Sequence, residues 1–95
     1  MNLSIIGATG NVGRKIIEIL EKSNLSIKNL YLVASKKSAG SKLPFKKKDI
    51  LVEALENFDF SKADMTIFAA GKEVSKNWIP EASKKTIVID NSSYF

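Results

Sequence analysis

Neither cysteine nor histidine occurs among the 95 residues. Their absence excludes disulfides, thiolate nucleophiles, imidazole bases and zinc sites of the usual ligand type. General acid–base chemistry is left to carboxylates, lysines and the phenols of Tyr31 and Tyr94. Long apolar runs are missing as well, so no stretch reads as a membrane span. Met1 leads straight into an apolar strand with no charged, cleavable leader, which predicts a cytoplasmic protein. Acidic residues are few beside the basic ones, 10 against 15, giving a net charge of +5. Arg14 is the one arginine; every other basic residue is lysine. Lysines crowd between Lys36 and Lys48, yet only Phe45 lies among them. A base-stacking surface needs aromatic interleaving, so this run reads as solvated surface with a local anion site, and no nucleic-acid partner is expected.

What is present is organised around residues 1–13. The apolar run Leu3 to Ile6 delivers the chain into Gly7-Ala8-Thr9-Gly10-Asn11-Val12-Gly13, and an amphipathic pattern follows at once. A strand turning through glycines into a helix gathers bare N–H groups and the positive end of a helix dipole at one spot. That spot suits a pyrophosphate. In this GxxGxxG spacing, Gly7 permits the tight turn, Gly10 lets a ligand approach the backbone, and Gly13 lets the helix pack close. The lesser alternative is a tight turn that needs glycine for its own dihedrals, and the context decides against it.

That context is a βαβ unit. Val12, Ile16, Ile19 and Leu20 mark the apolar side of a helix of roughly three turns. Asn11 is the expected N-cap, and Ser23-Asn24 ends the helix. Leu30 to Ala34 reads as a strand buried on both faces, which favours a parallel sheet with a right-handed crossover. In NAD-binding units a carboxylate closes this second strand. Here Ser35-Lys36-Lys37-Ser38 follows, with no acid before Asp49. Hydroxyls and ammonium groups suit a 2′-phosphate, so NADP is expected over NAD.

Further along, Ser41 to Lys48 reads as a basic loop and Ile50 to Val52 as a short strand. Phe58 and Phe60 read as core residues, as does Trp78. Met65 to Ala69 is a second buried strand, ending in the small pair Ala70-Gly71, where a flat ring could lie over the sheet. A helix interrupted by Pro80 is expected over 75–85. Thr86 to Asp90 forms a last strand, followed by the polar cluster Asn91-Ser92-Ser93. The expected fold is α/β: a Rossmann-type parallel sheet with helices on its faces, an incomplete doubly wound domain filling residues 1–95.

These residues resemble the aspartate-semialdehyde dehydrogenases. Gly7 to Gly13 is similar to the family's GATGxVG, and Ala34-Ser35-Lys36-Lys37-Ser38-Ala39-Gly40 to its ASxRSAG. Ala69-Ala70-Gly71 looks like its SAG turn, and Val88 to Ser93 matches its VIDNSS. The resemblance implies NADPH-dependent reductive dephosphorylation of an aspartyl phosphate to the semialdehyde, a step toward lysine, threonine, methionine and diaminopimelate. It assigns Thr9, Gly10, Asn11 and Val12 to the pyrophosphate, and Ser35, Lys37 and Ser38 to the 2′-phosphate. Ala70 and Gly71 fall beside the nicotinamide, and Asn91, Ser92 and Ser93 on the floor toward the substrate.

Two substitutions depart from the pattern. Lys37 replaces an arginine, keeping charge but losing the bidentate fork. Lys85 replaces a glycine and would be strained if that position were left-handed. The family reaction also needs a cysteine nucleophile and a histidine base from a catalytic and dimerisation domain, both absent from residues 1–95. The chain is therefore expected to bind cofactor without catalysing, to expose apolar surface, and to be marginally folded or self-associating. Full-length relatives are expected to be homo-oligomers, dimers or tetramers. A free-standing nucleotide-binding or redox-sensing module and the cofactor domain of a related acyl-phosphate reductase are the alternatives.

Overall fold

The computed structural model describes residues 1–91. Strands β1 (Asn2–Ile6) and β2 (Asn29–Ala34) are joined by helix α1 (Asn11–Lys22). A hairpin of β3 (Lys42–Phe45) and β4 (Lys48–Ala54) comes next. Single 3-10 turns at Leu55–Asn57 and Phe60–Lys62 lead to β5 (Met65–Phe68), helix α2 (Lys72–Ala82) and β6 (Ile87–Asp90). The strands form one sheet in the order β3-β4-β2-β1-β5-β6, parallel except for the β3–β4 pair.

Alternation along the central strands sends successive side chains to opposite faces. Leu3 and Ile5 of β1, with Leu30 and Leu32 of β2, pack on one face beneath Ile17 and Leu20 of α1. Ile6, Val33 and Phe68 face the other way and pack with Phe58, Phe60 and Ala82. The second face also holds a polar line. Ser4 Oγ lies 2.7 Å from Thr66 Oγ1, which is 3.2 Å from Thr86 Oγ1, so these buried hydroxyls satisfy one another. Asp59 caps the second 3-10 turn, accepting from the Ser61 hydroxyl at 2.7 Å and its amide at 3.0 Å. Those bonds hold its carboxyl below the ordinary range. Their small stabilisation is present above that range and fades as pH falls through the lowered value.

Several expectations need correction. Asn11 is the first residue of α1, and Gly10 stands at the N-cap without a side-chain bond. The buried side of α1 is Gly13, Ile17 and Leu20, while Val12 and Ile19 are 46% and 58% exposed. The helix is turned relative to the face expected from the sequence because Gly13 must meet the β1 turn. Residues 41–48 are mostly strand, since Phe45 pairs with Lys48 around Lys46 and Lys47, whose φ angles are 49° and 68°. Both central residues of this two-residue turn are left-handed, the arrangement that matches strand twist. α2 starts three residues earlier than expected, because Gly71, at φ 103°, opens it, and Pro80 sits uninterrupted in its last turn. Lys85 is not left-handed, so it carries no such strain.

Left-handed lysines cost what glycine or asparagine would not. Replacing Lys46-Lys47 by Asn-Gly should raise stability by about 1 kcal/mol. Urea denaturation checks this, and an unchanged or lower midpoint contradicts the turn geometry.

Candidate functional site

The chain moves outward from β1 to β2 and β4, then returns to β5 on the other side of β1. Strand order therefore reverses at β1, and the crevice beyond the carboxyl ends is where such sheets bind ligands. A cleft of about 410 Å³ opens there. The β1 turn contributes Gly7, Thr9 and Gly10 to it; Ser35 follows β2, and Ala70 follows β5. Leu55 and Glu56 after β4, with Val74 and Trp78 of α2, complete the two ends of the cleft.

The three glycines have different reasons to be glycine. Gly7 adopts φ 87°, and a Cβ there would stand 2.7 Å from Ala70 Cα and Cβ. A Cβ on Gly13 would collide with the Gly7 carbonyl oxygen. Those two are fixed by the protein's own packing. Gly10 is extended (φ −78°, ψ 175°), and a Cβ there would meet only the Gly7 carbonyl oxygen, at an ordinary 3.5 Å. Neither dihedral nor crowding requires glycine at position 10, which faces the cleft.

Electrostatics favour an anion at this point. The first helical bond of α1 runs from Arg14 N–H to the Gly10 carbonyl, 2.9 Å. The amides of Asn11, Val12 and Gly13 precede it and are not capped by a side chain. No acidic residue occupies that first turn. Arg14 Nε donates to the Thr9 carbonyl at 2.9 Å, bracing the turn from outside.

Of the residues expected from sequence, Gly7, Thr9, Gly10, Ser35 and Ala70 line the cleft together. Asn11, Val12 and Gly13 adjoin it through the helix end. Lys37 and Ser38 lie beyond its lining on the 36–40 turn, where the Ser35 carbonyl accepts from the Ser38 and Ala39 amides at 3.0 Å. Gly71 caps α2, outside the lining. Asn91 follows β6 and donates its amide to the Phe68 carbonyl at 2.8 Å, outside the lining. Ser92 and Ser93 lie outside the described residues. Sequence reasoning missed Leu55, Glu56 and Val74, and gave Trp78 to the core alone. It packs 6.4 Å from Phe60, centroid to centroid, and also lines the cleft.

A parallel sheet with a helix on each face, a cleft at its switch point and a glycine turn at a helix N-terminus define a doubly wound, Rossmann-type domain. Residues 2–95 match the family model of the semialdehyde dehydrogenase NAD-binding domain. The chain is 45% identical over 95 residues to the aspartate-semialdehyde dehydrogenase of Rickettsia bellii and 43% identical over 96 residues to that of Legionella pneumophila. These alignments take in 99% and 100% of this chain and 28% of each relative. The structure of aspartate semialdehyde dehydrogenase II from Vibrio cholerae, complexed with ASA, superposes with a TM-score of 0.94 at 39% identity, over 99% of this chain and 31% of that one. The chain belongs to the semialdehyde dehydrogenase family and corresponds to its NAD-binding domain. It spans less than a third of the length of these relatives. Among the described residues no helix is long and apolar enough to cross a membrane.

The glycines separate experimentally. Gly13→Ala should cost about 2–3 kcal/mol and lower Tm by roughly 10 °C or more. Gly10→Ala should stay within about 0.5 kcal/mol of the parent. Equal losses in a thermal melt would contradict the distinction.

Proposed function

We propose that the chain is the NADP-holding domain of an aspartate-semialdehyde dehydrogenase. The observation that carries this reading is Gly10, a cleft-lining glycine at a helix N-terminus that neither its dihedral angles nor its neighbours require. The pyrophosphate lies on the turn from Thr9 to Gly13, where the helix dipole and the uncapped N–H groups of Asn11, Val12 and Gly13 stabilise its charge. Gly7 and Gly13 hold that turn in place. Ser35 meets the adenosine ribose, with Lys37 and Ser38 extending the contact to a 2′-phosphate. Both lysines of this turn, Lys36 and Lys37, are exposed, and no acidic residue occurs in the sequence between Glu21 and Asp49. Ala70 and Gly71 leave room for the nicotinamide at the β5 side. On the family resemblance, Asn91 and the two serines after it in sequence, Ser92 and Ser93, serve the substrate side.

When bound, the cofactor supplies hydride; the residues of this chain bind and orient it. The reaction of the longer protein is the reductive dephosphorylation of L-aspartyl 4-phosphate to L-aspartate 4-semialdehyde, in the biosynthesis of lysine, threonine, methionine and diaminopimelate. Its thiolate and base come from a catalytic and dimerisation domain outside residues 1–95, so these residues alone are inactive. On the same reading the longer protein works in the cytoplasm as a homo-oligomer. The exposure of Ile87 and Ile89, 65% and 44%, on edge strand β6 supports burial of that surface in a larger assembly.

Titrating the chain with NADP and NAD tests the reading. NADP should bind about tenfold tighter, the scale of charge-assisted hydrogen bonds at an exposed site. Gly10→Val should abolish binding of both. Tighter NAD binding, or undiminished binding by Gly10→Val, contradicts it. Lys37→Arg should tighten NADP by about threefold while leaving NAD unchanged, because the guanidinium presents its donors as a planar fork that matches a phosphate, where the ammonium acts as a point charge.

A further inference from the structure

The cleft holds one ionisable side chain that the reading above does not use. Glu56 lies in the 3-10 turn at Leu55–Asn57, immediately beyond the carboxyl end of β4, and lines the cleft with Ser35 and Gly10. Its side chain is exposed and makes no hydrogen bond or ion pair with another described residue. Its neighbour Leu55 is buried, 8% exposed, and presents an apolar wall in the same cleft.

Sheet geometry fixes what part of a dinucleotide reaches this end. β4 is two strands away from β1 in the sheet, with β2 between them. Neighbouring parallel strands stand about 4.8 Å apart, so the end of β4 lies roughly 10 Å from the glycine turn. With the pyrophosphate at Gly10, the ribose falls over Ser35 at one strand spacing. The base falls over Leu55 and Glu56 at two. A carboxylate accepts hydrogen bonds and cannot donate them. It suits the exocyclic amine of adenine and opposes the carbonyl that hypoxanthine carries at the same carbon.

We propose that Glu56 reads the purine of the bound dinucleotide by accepting a hydrogen bond from its exocyclic amine, while Leu55 packs against the ring. This rests on the dinucleotide reading of the cleft.

The test compares NADP with its hypoxanthine analogue on the full chain, in the parent, Glu56→Gln and Glu56→Ala. The parent should prefer NADP by about tenfold. Both variants should reduce that preference to twofold or less, with Tm unchanged because Glu56 is exposed. A parent with no preference, or variants that retain it, overturns the role of Glu56 while leaving the cofactor reading intact. A parent that binds neither nucleotide overturns the cofactor reading, and the role of Glu56 with it.

Discussion

The contact on which the rest depends is the approach of α1 to the end of β1. Gly13 has no side chain, so the first turn of α1 lies directly against the Gly7 carbonyl. Gly7 in turn sits against Ala70 beyond β5. Two positions without side chains and one alanine thus clamp the ends of β1, α1 and β5 together. The clamp rotates α1 so that Ile17 and Leu20 enter the core and Val12 and Ile19 do not. It also sets the N-terminal turn of α1, with its three uncapped amides, directly after Gly10 at the point where the strand order reverses. The helix packing and the proposed anion site both follow from the same close approach.

The same contact explains why Thr9 and Gly10 are left at the surface of the cleft. Gly10 N–H donates to the Gly7 carbonyl at 3.1 Å, and Arg14 closes the turn on the Thr9 carbonyl. A loop held from both sides does not need to order itself when a ligand arrives, which lowers the entropic cost of binding. The buried hydroxyls of Ser4, Thr66 and Thr86 tie β1, β5 and the approach to β6 together behind the cleft. The site therefore rests on rigid strands, with its polar groups on short turns.

Much of this was legible because it depends on local signals. Apolar runs of strand length gave β1, β2, β5 and β6, and the glycine spacing gave the turn and the helix behind it. The hairpin was hidden because its turn uses Lys46 and Lys47, lysines in conformations usually given to glycine or asparagine. A lysine-rich edge strand carries little apolar alternation. The α1 face was misjudged because Val12 and Ile19 look like core in a pattern count, and only the Gly13 contact reveals the rotation. Glu56 could not be found from spacing. It enters the cleft because β4 lies beside β2 in the sheet, a long-range pairing with no local signature. Lys37 and Ser38, legible as a motif, fall outside the lining because the Ser35 carbonyl folds the following turn back on itself.

Amide chemical shifts of the isotopically labelled chain, followed as NADP is added, address the central claim most directly. The account predicts that the largest and saturable changes fall on Thr9 to Gly13, with a second group at Ser35 and the turn after it. Changes confined to the lysines of the β3–β4 hairpin, with the glycine turn unmoved, would contradict it.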